Sequence, residues 1–395
     1  MTRFPELKER VGLEEISLLL AFLVVYFFIF ALMELTPEML ASSSITTGGD
    51  MGSHYILAQY LRDYLLPNGK LAGWYPHWQG GLPMFEYYFV PPYLLMVFLS
   101  YMLSLPVAFK IVTLLWVFML PLTVFFGMRA MGFKSPMPAV ASSLSLLLLF
   151  LETVNYSNYS QWGGNIKSTL AGQFPYGISF ALMFLSLGLL YKGYHEKKNL
   201  VLNSVLFSLV ALNHIYTTII IGLASTFFLL DAFRSKKLDG VYYLGKVFIL
   251  GFLIAGFWYV PMASNLGWSS PPKDVFYVKI HLDWIFIREY LVVYLLAFIG
   301  AAFGILKKDK KMFFWLYSFL IVSGFLFLCK YTNFLYVRFL PFLYMTCLLI
   351  AAEGISTLVR NLKMKFIVPV VVSLLVVFLL SACWVKEIPS WIRWN

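Results

Sequence analysis

Acidic side chains are scarce in this chain. It has 19 Asp and Glu against 30 Lys and Arg in 395 residues, and only 12% of its residues are charged. A soluble globular domain is about one quarter charged and roughly half apolar. Here 61% of the residues are hydrophobic and the mean hydropathy is +0.79. That balance excludes a soluble globule and predicts an all-α polytopic membrane protein. Cysteine is scarce too: Cys329, Cys347 and Cys383 lie in or at the end of apolar segments, without metal-ligand spacing, and read as packing residues. No heptad, short-period repeat, low-complexity tract or soluble domain is visible. The net charge of +11 does not signal nucleic acid, because the basic residues form no patch or groove-length stripe.

Those basic residues instead fall in short clusters between long apolar runs. The clusters are Arg3/Lys8/Arg10, Arg129/Lys134, Lys192/Lys197/Lys198, Arg234/Lys236/Lys237, Lys307 to Lys311, and Arg360/Lys363/Lys365. Such clusters mark cytoplasmic loops. The loops 36–89, 152–175, 263–285 and 330–337, with the tail from Trp384, are then outside. The first apolar run, Ile16 to Leu35, is too long for a signal-peptide core and is expected to remain as a helix. Parity is satisfied if the short stretch 91–105, opened by Pro91-Pro92, re-enters or lies at the interface. The expectation is a single transmembrane domain over 1–395 with about eleven crossings, the N-terminus inside and the C-terminus outside.

The first external loop, 36–89, is the most informative segment. It contains Gly48-Gly49-Asp50-Met51-Gly52-Ser53-His54, and Ile56, Leu57, Tyr60, Leu61, Tyr64 and Leu65 then recur at helical spacing up to Pro67-Asn68-Gly69. That pattern predicts a helix lying on the membrane surface, with Asp50 at its start. Asp50 has two roles open to it, as a helix N-cap or as a chemical group at the hydrocarbon edge. Next come Gly73-Trp74-Tyr75-Pro76-His77-Trp78-Gln79-Gly80-Gly81-Leu82-Pro83 and Phe85-Glu86-Tyr87-Tyr88-Phe89. Dense Trp and Tyr suit an interfacial belt. Interleaved Gly and Pro favour a fixed loop whose rings, with Trp74, Trp78 and Tyr87 among them, stack on a sugar.

An Asp in the first external loop, a surface helix after it, and Gly-x-Pro-x-x-x-Tyr-Tyr (Gly81 to Tyr88) before the next apolar segment resemble the GT-C superfamily of membrane glycosyltransferases. Within it the chain is most similar to the prokaryotic membrane family labelled "6-pyruvoyl-tetrahydropterin synthase related", and more distantly to the large arabinofuranosyltransferases. The likeness covers most of the chain, including Asn213-His214 and Arg338-Phe339-Leu340. It implies a GT-C-like transmembrane bundle and transfer of a sugar from a polyprenyl-phosphate donor to a glycan, lipid or protein acceptor. The site would lie on the external face of the plasma (inner) membrane, with membrane lipid as a partner and no nucleic acid. Many members carry an acid pair in this loop. Asp50 stands alone, so no metal or other cofactor is expected, and an essential divalent ion is not favoured.

Inverting transfer needs a carboxylate to take the acceptor proton. Asp50 matches the family position. Glu152, which opens the second external loop, is the second candidate, and Glu86 the third and a substrate-binding one. His54 shares the helix face of Asp50 and would orient it, touch a phosphate, or serve only as a surface histidine with a structural hydrogen bond. The departing phosphate needs positive charge, for which Arg338, Lys330 and His214 are the candidates. Snorkelling for Arg338 and a satisfied buried role for His214 are the plain alternatives. The rival from another class is a polytopic transporter or lipid flippase, which would show repeats or midplane acids.

Overall fold

The structure is a computed structural model that describes residues 37–46, 48–78, 80–149, 163–269, 286–331, 335–360 and 367–382. The expected first span, Glu152 and the C-terminal tail lie outside the described residues. In chain order the helices are α1 (Pro37–Ala41), α2 (Met51–Tyr60), α3 (Pro91–Ser100), α4 (Leu105–Ala130), α5 (Met137–Leu149), α6 (Phe174–Glu196), α7 (Leu200–Asn213), α8 (Ile215–Ser235), α9 (Asp239–Ser264), α10 (Leu291–Leu306), α11 (Lys310–Leu328), α12 (Leu340–Val359) and α13 (Ile367–Ala382). A short lead-in, Ile166–Ser168 and the turn Thr169–Gln173, runs directly into α6.

Six stretches among the described residues are long and apolar enough to cross a membrane: Leu105–Ala130, Ile166–Glu196, Ile215–Ser235, Asp239–Ser264, Lys310–Leu328 and Val337–Val359. The chain is therefore a helical integral membrane protein. Shorter apolar helices accompany them, α3 among them. The ten residues of α3 rise only about 15 Å, half of a roughly 30 Å hydrocarbon core.

α4, α6 and α12 form the interior, whereas α9 turns Phe252, Leu253 and Val260 outward. Lipid tails are as apolar as leucine, so close packing of small residues has to hold such helices together. α4 meets α6 at Gly127 and Gly188, where a Cβ on Gly188 would stand 2.2 Å from the Gly127 carbonyl oxygen. α10 and α12 approach as tightly, because a Cβ on Gly300 would come within 2.1 Å of the Ile350 carbonyl oxygen. Buried hydroxyls add directional contacts, such as Ser179 to Thr217 at 2.6 Å between α6 and α8.

The helix expected after Asp50 is present. α2 continues through Leu61–Leu65 and Leu66–Asn68 and ends at Gly69, whose φ of 67° suits glycine. Its buried face is Met51, His54, Leu57, Ala58, Leu61 and Leu65, while Ile56 and Tyr64 from the expected apolar stripe are exposed. Packing on the bundle rotates the helix, and Tyr64 stacks on Tyr60 instead (centroids 4.9 Å). The aromatic loop that follows is a hairpin, β1 (Gly73–Tyr75) antiparallel to β2 (Leu82–Met84), with Trp74 opposite Pro83.

Candidate functional site

The turn that leads into α6 gathers the site. Asn165 starts it by accepting the Ser168 amide at 2.7 Å, and Trp116 of α4 pins it by donating its indole N–H to the Thr169 hydroxyl at 2.9 Å. At Gly172 the backbone takes φ 111°, a conformation open to glycine alone. Three consecutive residues then each meet one candidate. The Ala171 carbonyl accepts the Asp50 amide at 3.1 Å. Gly172 lies against the His54 ring. Gln173 accepts a hydrogen bond from the Arg338 guanidinium.

Asp50 occupies the N-cap position of α2, yet its side chain makes no cap hydrogen bond, and the residue is exposed. The carboxylate is thus spared from the helix and left exposed. Arg338 is half-buried at the first turn before α12, and its charge lies within electrostatic reach of Asp50. Tyr88 senses both. Burial pushes its hydroxyl well above the usual phenol range, Arg338 draws it back in part, and Asp50 raises it further.

His54 is buried at 5% exposure. Its Nδ1 shares a 2.7 Å hydrogen bond with the Tyr93 hydroxyl, and its Nε2 faces the Gly172 backbone, off the line of a well-formed hydrogen bond. Phe174 packs edge-on against it at 5.3 Å. Burial holds the ring neutral, with its pKa down to about 4, a contact with the Gly172 backbone offsetting part of that fall. The His54 amide also donates to the Asp50 carbonyl at 3.0 Å, so the buried ring sits one helical turn from Asp50.

His214 is buried between Phe89 (4.7 Å) and Tyr176 (5.0 Å). It also caps α8: its ring accepts the Tyr216 amide at 3.4 Å, and its carbonyl takes the Thr217 hydroxyl at 2.8 Å. Tyr176 connects it to the arginine, since the Tyr176 hydroxyl donates to the Arg338 carbonyl at 2.8 Å. Tyr216, two residues after His214, accepts the Leu335 amide at 2.9 Å and so braces the turn carrying Arg338.

The remaining candidates form a second group. Glu86 accepts a hydrogen bond from the Asn265 side chain, the Tyr87 hydroxyl donates to the Asn265 carbonyl at 2.6 Å, and Trp258 donates to the Phe85 carbonyl at 2.9 Å. Glu86 and Tyr87 are thereby tied to the C-terminal end of α9. Trp74 is 61% exposed on the hairpin, and half-buried Trp78 packs against the core and accepts the Gly81 amide at 2.7 Å. Lys330 lies in the turn Cys329–Tyr331, just after α11. Among the described residues no three His, Cys, Asp or Glu side chains group as metal ligands would.

Reading the sequence singled out none of Gly172, Gln173, Tyr93 and Asn265, and Tyr88 only as part of the Tyr-Tyr motif. Only Gly172-Gln173-Phe174-Pro175, a helix-start pattern after a glycine, offered a local signal. No curated protein matches the chain. The family model for the 6-pyruvoyl-tetrahydropterin synthase related domain, described as a membrane protein, matches residues 85–390. Arg338, His214, Gln173 and the C-terminal end of α9 fall within that match, and Asp50 and His54 precede it. The chain belongs to the 6-pyruvoyl-tetrahydropterin synthase related family of membrane proteins.

Proposed function

We propose that this protein is a GT-C-type glycosyltransferase that moves one sugar from a polyprenyl-phosphate donor to an extracytoplasmic acceptor with inversion. The observation that carries the reading is the convergence of Asp50 and Arg338 on the strip Ala171-Gly172-Gln173. An acceptor hydroxyl oxygen attacks the anomeric carbon, the Asp50 carboxylate takes its proton, and the bond from that carbon to the phosphate oxygen breaks. The electron pair leaves on the polyprenyl phosphate, whose charge Arg338 balances. A positioned base is worth about 10²- to 10⁴-fold in rate, and charge-assisted contacts stabilise the leaving phosphate. One exposed carboxylate suffices for the proton, so the reaction does not call for a divalent metal.

The topology that suits this chemistry has about eleven crossings in the plasma membrane, with the site outside. A reporter before Met1 should read as cytoplasmic and one after Asn395 as external. The reaction itself is tested with the purified protein in lipid nanodiscs, radiolabelled polyprenyl-phosphate sugars and a membrane extract as acceptor. Transfer with inverted configuration, unaffected by chelator and lost in Asp50→Asn, is the expected result. Donor that neither binds nor turns over would instead favour the transporter or flippase reading.

A further inference from the structure

We propose that the cavity between the β1–β2 hairpin and the outer end of α9 is a second carbohydrate site, the one that receives the acceptor glycan. This rests on the transfer reaction above and gives its second substrate a place. The cavity encloses about 450 Å³ and is lined by Trp74, Pro83, Glu86, Phe257, Trp258 and Asn265. That size falls within the roughly 300–1,000 Å³ of small-molecule sites.

Its walls are fixed from both sides. The hydrogen bonds of Asn265 with Glu86 and Tyr87, and of Trp258 with the Phe85 carbonyl, tie loop to helix. The Trp74 indole lies flat against Gly81, where a Cβ would sit 2.0 Å from the ring, so the ring is supported from behind while remaining exposed. Glu86 spends Oε1 on Asn265, and Oε2 has no hydrogen-bond partner among the described residues.

A supported aromatic face beside an acceptor-only carboxylate matches a sugar ring, which offers an apolar face of C–H groups and an edge of hydroxyl donors. An acyl chain in the same space would strip water from the Glu86 carboxylate and replace none of its hydrogen bonds. A run of packed side chains connects the cavity to the first site. Trp258 packs on Phe89 at 5.7 Å, Phe89 on His214 at 4.7 Å, and Tyr176 links His214 to Arg338.

The test uses the full chain in phosphatidylcholine nanodiscs and a panel of neutral di- and trisaccharides of glucose, galactose, mannose and arabinose with no lipid carrier. Saturation-transfer NMR titrations would be run on wild type, Asp50→Asn, Trp74→Ala and Glu86→Gln. At least one saccharide should bind wild type and Asp50→Asn equally and bind the two cavity variants about tenfold more weakly. Glu86→Gln keeps an oxygen for Asn265, and Trp74 is exposed, so both variants should retain wild-type melting temperatures. No saccharide binding to wild type, or binding indifferent to both cavity variants, would overturn the proposal. Transfer by wild type alongside either of those results would leave the reaction standing without this site. Cavity-dependent binding with no transfer would do the reverse.

Discussion

Gly172 lies so close to His54 that a Cβ on it would stand 2.7 Å from Nε2, and 3.2 Å from the Cβ of Asp50. The backbone there also has φ 111°, which an L side chain reaches only with strain of about 1–3 kcal/mol. Gly172→Ala should therefore push the surface helix away from the turn. We expect a lower melting temperature in detergent and a loss of sugar transfer larger than the loss of folded protein. Wild-type activity in this variant would show that the geometry of the turn is not needed.

Asp50→Asn should separate chemistry from folding. Because the Asp50 side chain makes no cap hydrogen bond, its replacement takes none away, and stability should stay within about 0.5 kcal/mol of wild type. Transfer should fall about 10²- to 10⁴-fold. A large stability loss measured by thermal unfolding would return Asp50 to a structural role. Unchanged turnover would move the base to Glu152.

Arg338 and Gln173 test the phosphate end. Arg338→Ala should weaken binding of a polyprenyl-phosphate sugar by about ten- to a hundredfold, the equivalent of roughly 1.5–3 kcal/mol. Arg338→Lys should recover part of this, since it keeps the charge and loses the fork. Gln173→Ala leaves the charge and removes the contact that aims it, so a smaller rise in donor Kd is expected. Equal donor affinity in all three variants and wild type would mean the guanidinium serves only the membrane surface.

The bundle was largely legible in the sequence because apolar runs report directly on spans. Leu105–Ala130, Asp239–Ser264 and Lys310–Leu328 each begin or end at one of the basic clusters read from the sequence. The helix after Asp50 was legible too, but not its buried face, which is set by what it packs on. The turn at 166–173 was hidden: with Lys167, Ser168, Thr169 and Gln173 it reads as loop, and its partners on other elements, Trp116, Asp50 and Arg338, lie 53 or more residues away in sequence. Glu86 could not be assigned from its neighbours, since its partner Asn265 lies 179 residues on. The hairpin was hidden as well, because Trp74 and Pro83 pair across a turn rich in glycine and aromatics with no alternation of polar and apolar residues.

The last prediction concerns acid. His54 is held neutral by burial, with its pKa lowered from 6.5 to about 4. Between those values an unfolded chain binds a proton that the folded protein refuses, so stability must fall as pH drops from about 6.5 towards 4 and is unaffected by this residue above that window. A shift of this size corresponds to a loss on the order of 3 kcal/mol at the acid end. Melting temperatures of detergent-solubilised protein at several pH values from 7.5 to 4.5 should decline for wild type, and the decline should be shallower for His54→Gln, which cannot charge. Because the ring touches Gly172 and Tyr93 rather than an open space, the same acid range should loosen the turn under Asp50 and reduce activity before global unfolding. Parallel declines in wild type and His54→Gln would assign the acid sensitivity elsewhere.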